Sequence, residues 1–84
     1  MLTGTVTDEH HHPISGAVVQ LQNEDSKEVE SFVTDRVGHF QFHRISANTD
    51  YRVWARFHEH DSKSHEVSKF ESKNPVVVEL EVKS

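Results

Sequence analysis

The chain has 84 residues, 33% of them hydrophobic and 27% charged, with no cysteine and a formal charge of −5 when histidine is neutral. That length holds one domain with a thin core and excludes a deep, rigid-walled catalytic cavity, while the missing cysteine excludes disulfides, thiolate nucleophiles and cysteine-based zinc sites. The acidic balance excludes a nucleic-acid binder that gains its affinity by neutralising phosphates, and no apolar run approaches the ~20 residues that a membrane-inserted helix requires.

In chain order, the opening MLTGTVTD alternates like a strand from Leu2 to Asp8 and has no signal-segment pattern. Its methionine is expected to initiate a single domain, residues 1–84, excised from a larger protein. After the polar connection DEHHHPIS, Ala17, Val19 and Leu21 alternate with Val18, Gln20 and Gln22. Lys27 to Thr34 is also strand-like, but Val29 and Val33 fall in one phase and Phe32 in the other, which leaves the inward face open. In VTDRVGHFQF, Asp35 precedes Gly38 by three positions. That spacing suits a tight turn in which the acid accepts backbone N–H groups and the glycine takes a positive φ. As a metal ligand or general base, Asp35 lacks a second carboxylate nearby in sequence. The turn launches Phe40 and Phe42 inward, with His39, Gln41 and His43 as a solvated outer row. Tyr51, Val53, Ala55 and Phe57 form a fourth inward row, and Val76, Val78, Leu80 and Val82 a closing one. No helical stripe interrupts this period of two. Six or seven strands at such spacing predict an all-β, antiparallel Greek-key sandwich.

Three sets of side chains are candidates for function. Arg52, Trp54 and Arg56 face away from the inward row, a composition typical of protein interfaces. The same tryptophan can stack on a sugar ring, or can simply lie under the stems of its arginine neighbours. His58 and His60 share a face if the strand continues that far, about 6–7 Å apart at the backbone, with Asp61 and His65 able to complete a set of N and O ligands. His10, His11 and His12 stand in a loop where His-rich tracts bind Zn, Ni or Cu weakly. No other cofactor is implied. Protonating all eight histidines would move the formal charge from −5 to +3, which makes a pH-responsive domain the companion reading to a metal-binding one. The closing VVVELEV is a potential sheet edge that Glu79 and Glu81 guard against pairing.

Several stretches resemble one known family, the carboxypeptidase regulatory-like domains. GTVTDEHHHPISGAVVQLQN is similar to their opening G-x-V-x-D strand end, loop, Pro and A-x-V-x-L strand. TDRVGHFQF resembles their T-D-x-x-G-x-F-x-F hairpin, and ISANTDYRVWA the following loop and Y-x-V strand, although ANTD stands where the family often has Pro-Gly. The resemblance implies a seven-stranded, transthyretin-like or prealbumin-like sandwich. It further implies a non-catalytic module of an exported or cell-surface protein, extracytoplasmic, whose partner is another protein or a neighbouring domain of the parent chain. LTGTVTD also looks like the opening of the 5-hydroxyisourate hydrolases of this fold. Thr5 occupies the place of their catalytic histidine and their C-terminal Y-R-G-S is absent from VELEVKS, so no hydrolase activity is expected. The first strand has no Lys and the last no Asn or Asp, so the isopeptide crosslink of pilin domains is not expected either.

Overall fold

The computed structural model describes residues 1–46, 48–69 and 75–83. Eight strands follow in order: β1 (Leu2–Thr7), β2 (Val18–Asn23), β3 (Val29–Val33), β4 (His39–Phe42), β5 (Tyr51–Phe57), β6 (His60–Asp61), β7 (His65–Val67) and β8 (Val76–Glu81). One sheet has the order β4-β1-β8, and the other runs β3-β2-β5, with β6 and β7 sharing the far side of β5. All pairs are antiparallel except β1 with β8, which is parallel, from Leu2 opposite Val76 to Thr7 opposite Glu81. No helix among the described residues is long and apolar enough to cross a membrane.

The core is assembled from every second residue. Leu2 and Val6 of β1, Val19 and Leu21 of β2, Phe40 and Phe42 of β4, Tyr51, Val53 and Ala55 of β5, and Val78 and Leu80 of β8 are all buried between the sheets. Each such valine, leucine or phenylalanine contributes about 1.5–3 kcal/mol relative to an exposed position, which makes the alternation the main source of stability. In β3 the phase that the sequence left open is settled by one ring. Phe32 turns inward and meets Phe42 edge-on at 6.2 Å between centroids, while Val29 and Val33 face out, 50% and 60% exposed.

The expectation of seven strands is corrected to eight, because the edge strand beside β5 is cut in two. Between the pairs Arg56–Asp61 and Val53–His65, β5 has two residues, Ala55 and Trp54, whereas the opposing segment has three, Ser62 to Ser64. The surplus residue makes a β-bulge. Buried Ser62 bridges it: its N–H donates to the Ala55 carbonyl at 2.8 Å, its hydroxyl oxygen accepts from the Ala55 N–H at 2.8 Å, and the hydroxyl donates to the Lys63 carbonyl at 3.1 Å.

At the same end of the sandwich, just past the Val33–Val18–Arg56–Asp61 row, the Asp35–Gly38 turn docks on the connection between β1 and β2. The Thr34 hydroxyl, buried, accepts from the Ala17 N–H at 2.9 Å and donates to the Ile14 carbonyl at 2.7 Å. The Asp35 carboxylate accepts from the N–H groups of Val37 and His39 at 3.0 and 2.9 Å, and Val6 N–H donates to the Gly38 carbonyl at 2.8 Å. Asp35 and Gly38 therefore shape the turn. Gly38 has φ 75°, and a Cβ there would stand 2.6 Å from the Val6 carbonyl oxygen; Gly16 has φ 82° with nothing within 4 Å of that position. Gly16→Ala should cost about 1 kcal/mol of left-handed backbone strain, whereas Gly38→Ala should cost about 3 kcal/mol, because it adds an overlap with backbone that cannot move aside. Urea unfolding of both variants measures the difference; equal losses would contradict the docked turn.

Candidate interaction surface

The outward residues of the larger sheet form three cross-strand rows. Val33 lies opposite Val18, which lies opposite Arg56, which lies opposite Asp61. Ser31, Gln20 and Trp54 form the middle row, and Val29, Gln22, Arg52 and Glu66 the third. Trp54 is half-buried at the centre of this face. Its two arginine neighbours are engaged on either side. Arg52 Nη2 lies 3.5 Å from Glu66 Oε1 and 3.8 Å from Glu24 Oε2, and Arg56 Nε lies 3.7 Å from Asp61 Oδ1. Such exposed pairs contribute at most about 1 kcal/mol each. Their effect is geometric: they hold the guanidinium heads against the acids of β6, β7 and the residue after β2, on either side of Trp54, whose neighbour across β2 is Gln20.

The histidines expected as metal ligands are distributed differently. β5 ends at Phe57, and His58 and Glu59 form the two-residue turn to β6, with φ of 48° and 67° and Phe57 paired to His60. The same-face spacing of His58 and His60 required a continuing strand, so that premise is corrected: two left-handed residues reverse the chain there, as a type I′ turn demands. The His58 ring packs edge-on against Phe57 at 4.0 Å. His60 and His65 do come together with Asp61 in one cleft of about 640 Å³, between the β6–β7 edge and β8, with Lys63, Glu79 and Glu81 among its walls.

In the β1–β2 loop, the Asp8 carboxylate accepts from the N–H groups of His10 and His12 at 2.8 and 2.9 Å. The His12 Nδ1 stands 3.4 Å from Asp8 Oδ2, the His10 Nε2 3.8 Å from Glu9 Oε1, and the His10 and His12 rings 6.2 Å apart. His11, with φ 66°, points into solvent. Among the described residues, no three His, Asp or Glu side chains are set to hold one metal ion. The backbone N–H of His12 holds the Asp8 carboxyl below its ordinary range, as that of His39 does for Asp35. Both carboxylates thus act on their own turns.

A profile of the carboxypeptidase regulatory-like domain matches residues 1–83. The chain belongs to that family. Among solved structures, the C-terminal fragment of the pilus adhesin SpaC from Lactobacillus rhamnosus GG aligns with a TM-score of 0.51 at 12% identity, over 98% of this chain and 43% of that one. The likeness is one of fold, and this chain spans less than half of the fragment. No curated protein matches.

In this carboxypeptidase regulatory-like domain, the loop that departs from the family's Pro-Gly is tied down by side chains instead. The Tyr51 hydroxyl oxygen accepts from the Ser46 N–H at 2.7 Å. Buried Thr49 donates its hydroxyl to Asn23 Oδ1 at 3.3 Å and to Asp25 Oδ2. Two features of the β6–β7 region are not legible in the sequence, the cleft beside β8 and the bulge at Ser62. The interrupted polarity of FHEHDSKSHEV carries no inward row from which either could be found, since only Ser62 and Val67 of residues 60–67 are buried. Replacing the turn by His58→Asn/Glu59→Gly, residues suited to left-handed conformations, should raise stability by about 1 kcal/mol or more. A lower thermal midpoint in the double variant would show that the strand runs on through His58.

Proposed function

We propose that this domain is a non-catalytic interaction module of a larger, cell-surface protein and meets its partner or a neighbouring domain through the Trp54 face. The observation that carries this is the position of Trp54. A half-buried tryptophan, flanked on its own strand by Arg52 and Arg56 and across β2 by Gln20, sits at the middle of the outer face of the larger sheet, whose β3 edge carries exposed Val29 and Val33. Large aromatic and arginine side chains supply most of the binding energy at protein interfaces, particularly when they are central to the patch. A sugar ring is the weaker occupant, because the face offers only one aromatic side chain.

Family membership and the fold shared with a pilus adhesin fragment support a module built into a surface protein rather than an enzyme. The arrangement of titratable groups agrees with that. Asp8 and Asp35 accept from their own turns, Arg52 and Arg56 are paired with acids, and Thr5, where the hydrolases of this fold carry histidine, lies on the outer face of the smaller sheet between His39 and Glu79.

A photo-crosslinking residue at position 54 in the full-length parent protein should trap a partner or adjoining domain, while the same residue at position 41, on the outer face of the smaller sheet, should not. Trp54→Ala should lower stability by less than about 2 kcal/mol, the range for a side chain that is only partly covered. No adduct at position 54, together with a loss well above that range, would place Trp54 in the packing and sink the interface.

A further inference from the structure

The register of the smaller sheet shows which backbone groups lack a strand beside them. Val76 N–H donates to the Met1 carbonyl at 3.0 Å and Val82 N–H to the Thr7 carbonyl at 2.9 Å, so in this parallel ladder the even-numbered residues of β8 bond to β1. The N–H and C=O groups of Val77, Glu79 and Glu81 consequently point away from β1. Among the described residues no strand pairs that edge. Beside it lies the cleft of about 640 Å³, with buried Leu80 in its wall and His60, Ser64 and His65 of the β6–β7 edge across from it. Val77 is 76% exposed, and Glu79 and Glu81 are exposed on the same outer face.

We infer that this edge is a second binding site, independent of the Trp54 face, that takes an extended peptide segment with alternating apolar and basic residues as an added strand. Main-chain hydrogen bonds to residues 77, 79 and 81 supply the affinity common to strand addition, and side chains at alternate positions supply the selectivity. Residues of the peptide opposite Glu79 and Glu81 share their face, where opposite charges attract and like charges repel. Those opposite Val78 and Leu80 turn toward the cleft, where Leu80 is the one apolar residue of the wall and is itself buried, so these positions need only be uncharged and of high β propensity, as valine is. A second copy of β8 does not meet this requirement. Antiparallel self-pairing centred on Leu80 would set Glu79 opposite Glu81 of the other copy, a like-charge contact on both sides of the centre.

The test is titration of the isotope-labelled domain with the synthetic peptide Lys-Val-Lys-Val-Lys-Val-Lys-Val, with the Glu-Val counterpart as control. Amide shifts at Val77, Glu79 and Glu81 should move together with one saturation curve, binding should weaken with added salt, and the Glu-Val peptide should bind at least about tenfold more weakly, from two reversed cross-strand charge pairs. Glu79→Lys/Glu81→Lys, two exposed substitutions, should exchange the preference between the peptides. Glu79→Pro removes one free-edge donor without touching the β1 ladder and should weaken binding of the Lys-Val peptide. Unmoved amides on β8, shifts confined to β3, equal binding of both peptides, or dimer formation by the free domain at the same concentrations in sedimentation would each overturn the inference.

Discussion

Burial at every second residue is the constraint on which the rest of this domain depends. With so little apolar sequence, each of the main strands can spare one side for the core and must give the other to water, and the core accordingly collects Leu2, Val6, Val19, Leu21, Val53, Val78 and Leu80 from alternate positions. A one-residue slip in any of these strands would exchange the whole set for its polar neighbours. The same alternation decides what the surface carries. Trp54 is outward because Val53 and Ala55 are inward, and Glu79 and Glu81 are outward because Val78 and Leu80 are inward. In β8, where even residues bond to β1, the residues that face out are also those whose backbone groups lie on the open edge.

From that constraint follows a division of labour between the two ends and the two sides of the sandwich. One end is locked: the Thr34 hydroxyl and the Asp35 and Asp8 carboxylates satisfy backbone groups in adjoining turns, and the Gly38 turn rests on the Val6 and Ile14 backbone. These polar residues stabilise the connections. The broad outer face of the larger sheet has arginines held aside by acids around a central tryptophan. The β8 edge and the cleft beside it have backbone donors and acceptors together with acidic side chains.

Much of this was legible in the sequence because inward rows of valine, leucine and phenylalanine are a strong signal. The β1, β2, β4, β5 and β8 rows and the Asp35–Gly38 turn lie where the residue pattern puts them, and the family motifs sit on those same elements. Three things were not legible, each for a physical reason. β3 is an edge strand, so its valines can stay exposed and only Phe32 need reach the core; apolar residues then occur in both phases. The end of β5 was hidden because His58 and Glu59 take left-handed conformations that usually select Asn or Gly. β6 and β7 are short and polar, and the hydroxyl of Ser62 stands in for a ladder partner, which no hydrophobic pattern reports. For the candidate site the balance is similar. The outward placement of Arg52, Trp54 and Arg56 follows from period two, whereas the acids that engage the arginines come from β6, β7 and the end of β2, brought in by register alone.

The central claim, that one alternation sets both the buried core and the open edges, is tested most directly by native-state hydrogen exchange of the free domain, residue by residue along β8. The structure requires alternate protection: slow exchange at the amides of Val78 and Leu80, which bond to β1, and fast exchange at Val77, Glu79 and Glu81, which do not. Uniform protection through all five amides would mean that another segment covers this edge and that the register-based account of the surface is wrong.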